Sequence, residues 1–248
     1  MNDAGLGSPE ASDALVKVCG ITRPEDAAFA ASCGAAFVGL NFWPSSRRYL
    51  PLEKAGEVAR AAAPALLVGV FVDASEEEVE AAQAAAGLDL VQLHGDEPRE
   101  QVAALGSRAL RVVRLTAQQL AVAQEDAGEQ WRALAEDLAA DSSAGFVVEL
   151  AHQDYGGVGR TWDVAALVPL ARQLQELHYR RPALLAGGIR PENARSRLVA
   201  SGFHHLPGGG VDLASGVESA PGIKSDQRVR ELFDALRRAQ APTRAGLS

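Results

Sequence analysis

The sequence predicts an α/β protein that folds as a single (β/α)₈ barrel. Eight short apolar runs alternate with segments of helical spacing, and the 248 residues suit a barrel, since such barrels commonly form one domain of about 250 residues. An open doubly wound sheet usually has fewer strands and a G-x-G-x-x-G turn after the first strand. Here the first turn is CGITRPED, so a closed barrel is favoured.

The eight runs are rich in branched apolar residues and lack strict polar/apolar alternation. This pattern is typical of parallel strands that helices cover on at least one face. In chain order, the predicted strands are 15–19, 36–42, 65–72, 88–94, 109–115, 145–150, 182–188 and 209–215.

Proline and acidic residues open several of the intervening segments, as expected for helix N-termini, at 23–26, 51–53, 74–78 and 190–193. A closing helix is predicted over 226–240. We interpret the longer stretch Thr116–Ser143 as a decoration that holds a long helix. The predicted domain organisation is a disordered N-terminal extension at 1–14, the barrel at 15–240 and a C-terminal tail at 241–248.

Composition excludes several classes of function. The net charge is −8 and the basic residues are scattered, so we expect no nucleic-acid partner. The longest run without a polar residue has 12 residues, too few to span a membrane, and the N-terminus lacks the pattern of a secretory signal, so a cytoplasmic protein is expected. Two cysteines without metal-ligand spacing predict free thiols and no metal site.

Polar or glycine residues stand where the predicted strands end, which is the rim that carries the chemistry in such barrels. From the residues alone, a buried cysteine such as Cys19 is most often a small inert hydrophobe, and His94 could equally be a structural histidine or a substrate contact. The ends of the eight strands are Cys19-Gly20, Asn41-Phe42, Asp73, His94-Gly95, Arg114, Glu149, Gly187-Gly188 and the run from Asp212 to Gly216.

Two glycine-containing segments are candidate phosphate sites. LLAGGIRPEN and VDLASGVESAPG follow strands seven and eight, where many barrels offer backbone N–H groups to a phosphate. YGGVGRTWD lacks the spacing of a P-loop, which excludes that assignment.

Seven motifs, taken together and in order, resemble the phosphoribosylanthranilate isomerase family of tryptophan biosynthesis over about Val16 to Leu236. They are KVCGIT, FWPSSRR, GVFVD, VQLHGDE, YGGVGRTWD, LLAGGIRPEN and VDLASGVESAPGIK. The resemblance implies a (β/α)₈ barrel that needs no metal or cofactor. It also implies an Amadori rearrangement of an aminoaldose phosphate to an aminoketose phosphate.

The resemblance implies that Cys19 is the general base and Glu149 the general acid. A thiol has a pKa of about 8.5, and a helix N-terminus can lower it toward neutrality. The family usually has Asp at the end of strand six, where this chain has Glu149, and Val158 replaces threonine in the usual GGTG. Asp154 on that loop is the competing candidate acid.

The same resemblance implies the residues that hold the substrate. Arg48 would bind the anthranilate carboxylate, Asp212 would accept a hydrogen bond from a sugar hydroxyl, and His94 would lie between them. Backbone amides at the ends of strands seven and eight would bind the phosphate, namely those of Gly187, Gly188, Ser215 and Gly216.

Two other functions stay open on the sequence. The chain could be another phosphosugar enzyme on the same fold, or a catalytically silent protein that binds a phosphate ligand. The expected partner is a small phosphosugar, and the expected assembly is a monomer or a homodimer.

Overall fold

The computed structural model describes residues 14–116, 119–120, 128–150 and 163–237, apart from the side chain of residue 150. Strands and helices alternate along these residues. In chain order they are β1 (Leu15–Cys19), α1 (Pro24–Cys33), β2 (Phe37–Asn41), α2 (Leu52–Ala61), β3 (Leu66–Phe71), α3 (Glu76–Ala86), β4 (Leu90–Leu93), α4 (Arg99–Leu105), β5 (Leu110–Leu115), α5 (Glu129–Ala140), β6 (Gly145–Leu150), α6 (Val168–Glu176), β7 (Ala183–Leu185), α7 (Pro191–Ala200), β8 (Gly209–Leu213), β9 (Glu218–Ala220), β10 (Ile223–Lys224) and α8 (Asp226–Arg237).

Strands β1 to β8 form one parallel sheet in the order β4-β3-β2-β1-β8-β7-β6-β5. Its two edge strands meet through a parallel backbone bridge between Val91 and Ala109, so the sheet is nearly closed into a barrel. The predicted fold is therefore confirmed. The hairpin of β9 and β10 is antiparallel and follows β8.

All eight predicted strands are present. The largest difference is in β7, which ends at Leu185, three residues before the predicted end. Gly187 and Gly188 have φ angles of 83° and 65°, in the left-handed region that glycine adopts readily, and this ends the strand.

The four helix starts predicted from proline and acidic residues are also confirmed. Pro24 and Pro191 open α1 and α7, and Ser75 caps α3 by accepting a hydrogen bond from the N–H of Glu78. The closing helix α8 is described as far as Arg237.

The interpretation of Thr116–Ser143 as a decoration is wrong for its described part. Helix α5 connects β5 to β6, and its buried side chains Trp131, Ala135 and Leu138 join the main hydrophobic core. This helix is therefore one of the crossovers of the barrel. Several predicted features lie outside the described residues: the extension at 1–14 apart from Ala14, the tail at 241–248, Asp154 and Val158.

The inside of the barrel is built in layers because alternate residues of a strand point to the same side of the sheet. Its lower layer is apolar, formed by Phe37, Val68, Leu90, Leu110, Val147, Leu184 and Ala186. Stepping by two from this layer toward the C-terminal strand ends leads to polar residues: Gln92 and His94 on β4 and beyond it, Arg114 on β5 and Glu149 on β6. The candidate site residues therefore share the inward face with the apolar plug beneath them. Among the described residues, no helix is long and apolar enough to cross a membrane.

Candidate active site

Cys19 ends β1 at the mouth of the barrel, the rim formed by the C-terminal strand ends. Cys19 is a free cysteine, and the residue as a whole is partly exposed. A Cβ on Gly39 of the neighbouring strand β2 would lie 2.8 Å from the Cys19 sulfur, so the glycine makes room for the thiol. Gly20, with a φ of 71°, lies under the aliphatic stem of Arg48, which a side chain there would strike. The residues next to Cys19 thus bring Arg48 over the strand end.

A buried ion pair lies one layer below the thiol. Lys17 on β1 and Asp212 on β8 are register partners, and Lys17 Nζ donates to Asp212 Oδ2 at 2.8 Å. The Lys17 side chain is fully buried, and Asp212 is 8% exposed. Asp212 Oδ1 is buried and has no hydrogen-bond partner among the described residues. One carboxylate oxygen of Asp212 is therefore left to accept a further donor.

Burial raises the pKa of the Cys19 thiol above its ordinary value, and the ammonium groups of Lys17 and Lys224 oppose that effect. This direction is opposite to the lowering that the sequence analysis expected from a helix N-terminus. For Lys17, burial disfavours the charged form, but attraction to Asp212 and Cys19 prevails and raises its pKa. Lys17 thus supplies a fixed positive charge to the sulfur.

Arg48 is held by a carboxylate of the protein itself. Its Nε donates to Glu218 Oε1 and its Nη2 to Glu218 Oε2, both at 2.7 Å. The same Glu218 side chain, only 5% exposed, accepts from Lys224 Nζ at 2.8 Å. Lys224 Nζ also donates to the carbonyl oxygen of Cys19 at 2.7 Å. This Arg48–Glu218–Lys224 cluster joins the β2–α2 loop and the β9–β10 hairpin to the end of β1.

Glu149 and His94 meet across the mouth from different strands. His94 Nε2 lies 2.7 Å from Glu149 Oε1, and Arg114 Nε donates to the same oxygen at 3.1 Å. Arg114 is the register partner of Glu149 on the adjacent strand β5. Burial alone would raise the pKa of Glu149, but the hydrogen bonds and charges of His94 and Arg114 outweigh it and lower the pKa.

Arg114 also links the two edge strands of the sheet. Its Nη1 donates to the carbonyl oxygen of Gly95 at 2.7 Å, and its Nη2 donates to that of His94. The guanidinium thus connects the ends of β4, β5 and β6 at the rim, above the Val91–Ala109 bridge. Gln92 Nε2 lies 3.3 Å from His94 Nδ1 and supports the ring from below.

The two predicted phosphate loops lie against each other. A Cβ on Gly216 would collide with the carbonyl oxygen of Ile189, so the short 3₁₀ helix Ser215–Val217 packs tightly on the loop after β7. A Cβ on Gly188 would meet no atom within 4 Å, so this glycine borders open space. Among the described residues, no hydrogen bond is seen from the backbone N–H groups of the four predicted positions, Gly187, Gly188, Ser215 and Gly216.

Four residues of this site have no assigned role in the sequence analysis. Lys17, Glu218 and Lys224 lie inside motifs that carried the family resemblance, and Arg114 stands at a predicted strand end. The signal that could have found them is charge within an apolar strand or a glycine-rich turn, since a buried charge needs a partner. Among the residues described, no group of three or more His, Cys, Asp or Glu side chains could hold a metal ion.

Comparison with known proteins identifies the family. The family model described as N-(5'-phosphoribosyl)anthranilate isomerase matches residues 16–235. This chain belongs to that family. A phosphoribosylanthranilate isomerase from Myxococcus xanthus is 37% identical over 223 residues, which are 90% of this chain and 95% of the relative. One from Cereibacter sphaeroides is 37% identical over 228 residues, 90% of this chain and 98% of the relative.

Solved structures of the family agree with the fold. The phosphoribosylanthranilate isomerase of Thermotoga maritima has a TM-score of 0.70 and 30% identity, and the match covers 90% of this chain and 98% of that one. The Thermus thermophilus structure has a TM-score of 0.67 and 33% identity, with 91% and 99% covered. A third family structure, with a TM-score of 0.66 and 29% identity over 90% of this chain and 98% of that one, was solved in complex with reduced 1-(o-carboxyphenylamino)-1-deoxyribulose 5-phosphate.

Proposed function

We propose that this chain converts N-(5'-phosphoribosyl)anthranilate to 1-(2-carboxyphenylamino)-1-deoxyribulose 5-phosphate in tryptophan biosynthesis, with Cys19 as base and Glu149 as acid. The observation that carries the proposal is that Cys19 and Glu149 each have a polar partner in the mouth of the barrel. Cys19 stands above a buried ammonium, and Glu149 is hydrogen-bonded to His94, on strands separated by β7 and β8.

The reaction begins with ring opening. Glu149 donates a proton to the furanose oxygen as the bond from that oxygen to the anomeric carbon breaks, which leaves a protonated imine at that carbon. The lowered pKa of Glu149 keeps this carboxyl ionised before the substrate arrives. A substrate that carries a carboxylate and a phosphate raises the pKa again, because like charges disfavour ionisation.

Cys19 then removes the proton from the sugar carbon next to the protonated imine, which gives a neutral enolamine. The enol hydroxyl then loses a proton and the former imine carbon gains one, which gives the ketone with no net change in protons. Lys17 stabilises the thiolate that this step requires, since it lies beside the sulfur and stays charged. The dominant form of the free protein is a thiol with a carboxylate, while the productive form is a thiolate with a carboxylic acid. Both hold the same number of protons, so their ratio does not change with pH, and the fraction of the protein in each form is constant between the two pKa values.

Local positive charge and free donors support substrate binding in a chain of net charge −8. Arg48 would bind the anthranilate carboxylate, and the unpartnered Asp212 Oδ1 would accept from a sugar hydroxyl. His94, which is hydrogen-bonded to Glu149, would contact the substrate between its carboxylate and phosphate ends. The phosphate would bind to the backbone N–H groups of Gly187, Gly188, Ser215 and Gly216, at the edge of open space. We expect no cofactor in this scheme.

The test is growth of a host that lacks the isomerase on medium without tryptophan, together with turnover of the purified protein. Cys19→Ser should abolish growth and lower turnover by ~10²-fold or more, because an alcohol is a much weaker base than a thiolate. Cys33→Ser, at the end of α1, is the matched control and should behave as the parent. Near-normal turnover of Cys19→Ser would contradict the proposed base.

The same experiment separates the two alternatives. Another phosphosugar enzyme would fail to rescue growth, and a silent binding protein would bind the reduced product analogue without turnover. The expected assembly is a monomer or homodimer, which light scattering of the purified protein would check. The expected location is the cytoplasm, which cell fractionation would check.

A further inference from the structure

Arg48, the residue proposed to bind the substrate carboxylate, is hydrogen-bonded to the carboxylate of Glu218. A guanidinium has five N–H groups, and it can bind a carboxylate bidentately along its side, through Nε and Nη2, or at its end, through Nη1 and Nη2. Glu218 occupies the side edge at 2.7 Å for both hydrogen bonds. Arg48 is therefore already bound to one carboxylate.

The end of the same guanidinium is free. No acceptor for Arg48 Nη1 exists among the described residues, and Nη2 has one further N–H beyond the one given to Glu218. The Arg48 side chain is 25% exposed, whereas that of Glu218 is 5% exposed. The buried edge thus binds the protein, and the open edge has the geometry for a second carboxylate.

Glu218 is itself fixed in place. Lys224 Nζ donates to Glu218 Oε1 at 2.8 Å, and the N–H of Gly222 donates to it at 3.3 Å. Lys224 is anchored in turn to the carbonyl oxygens of Cys19 and Ala214, at the ends of strands β1 and β8. Through Lys224 and Glu218, the Arg48 guanidinium is therefore held in a fixed position relative to β1, the strand that carries the proposed base.

We propose that Glu218 is a positioning residue that orients Arg48, so that the free end of its guanidinium binds the carboxylate of the substrate. This inference rests on the proposed function, because it assumes that Arg48 meets the anthranilate carboxylate. Glu218 does not touch the substrate in this arrangement. It selects for a ligand with an ortho carboxylate by holding the arginine that recognises it.

The experiment measures binding of two ligands by titration calorimetry. One is the reduced product analogue with its carboxyl group, and the other is the same molecule with phenyl in place of 2-carboxyphenyl. Glu218→Gln should weaken binding of the first by about tenfold, because the neutral amide no longer fixes the guanidinium, and leave binding of the second unchanged. The KM for the natural substrate should rise by a similar factor, with a much smaller change in kcat.

Two variants guard against a merely structural effect. Glu57→Gln removes an exposed glutamate of α2 and should change the binding of neither ligand. Glu218→Asp keeps the carboxylate charge and is the second variant if Glu218→Gln folds poorly. It should keep part of the preference for the carboxylated ligand over the phenyl ligand. Equal weakening of both ligands by Glu218→Gln, or no weakening of either, would overturn the proposal.

Arg48→Lys distinguishes the failure of this inference from the failure of the proposed function. A lysine keeps the charge but has no planar fork, so this variant should also lose affinity only for the carboxylated ligand. Loss in Arg48→Lys without loss in Glu218→Gln would refute the role of Glu218 alone. If neither ligand is affected in Arg48→Lys, the assignment of Arg48 to the carboxylate is itself wrong. Arg47→Lys, on the exposed neighbour of Arg48, is the control.

Discussion

Replacement of Lys17 by methionine tests the buried ion pair beneath Cys19. The ammonium is fully buried and donates to Asp212 Oδ2, while Asp212 Oδ1 has no partner among the described residues. Lys17→Met therefore leaves a buried carboxylate without its cation. Breaking a buried pair in this way costs about 3–5 kcal/mol in the free energy of unfolding. For a domain of this size, 1 kcal/mol corresponds to roughly 2–4 °C in Tm, so we expect Tm to fall by about 6–20 °C.

Thermal unfolding followed by circular dichroism measures this effect. The double variant Lys17→Met with Asp212→Leu removes both charges and should be more stable than Lys17→Met alone, because no unpaired charge is left. Lys54→Met, at an exposed position of α2, should change Tm little. A Tm loss of under about 2 °C in Lys17→Met, corresponding to less than ~1 kcal/mol, would refute the reasoning, as would a double variant less stable than both single ones.

The same variant reports on the thiol. Lys17 opposes the rise in the pKa of Cys19 that burial causes, so its loss should raise that pKa further. The rate of Cys19 alkylation by iodoacetamide, measured against pH, should shift to higher pH in Lys17→Met. An unchanged profile would show that Lys17 does not act on the sulfur.

Three further predictions follow from the site. Glu149→Gln should lower turnover by ~10²-fold or more while Asp154→Asn should not, and the reverse result would move the acid role to Asp154. The kcat/KM of the parent should be constant with pH between two pKa values, that of Glu149, which lies below its reference value of 4.5, and that of Cys19, which lies above its reference value of 9.0. A maximum confined to one pH unit would contradict the two-group scheme. Gly188→Ala should lower the free energy of unfolding by about 1 kcal/mol and weaken inhibition by inorganic phosphate. Gly87→Ala, with a φ of 63° and equally open surroundings, should lower only the stability. Equal phosphate inhibition in both variants would exclude Gly188 from the phosphate site.

The sequence by itself determined the barrel and the location of its rim. Short, nearly continuous apolar runs alternate with helical segments whose starts carry proline, serine or acidic residues. These signals are preserved in the folded protein because each depends on neighbours in the chain. The motifs then located Cys19, Arg48, His94, Glu149 and the two glycine loops as candidate site residues at or beside the strand ends. Where such a signal was misinterpreted, as at Thr116–Ser143, the error concerned packing, since Trp131 gives no sign in the sequence of which face it buries.

Only the tertiary structure decided which rim residues meet. Lys17 and Asp212 are 195 positions apart, and Arg48 and Glu218 are 170 apart, so no local pattern pairs them. Their contacts depend on the pairing of β1 with β8 and on the hairpin that follows β8, and these in turn depend on how the sheet curves into a barrel. The pKa directions of Cys19 and Glu149 also come from this level, because burial and the distance to a charged partner exist only once the strands have assembled.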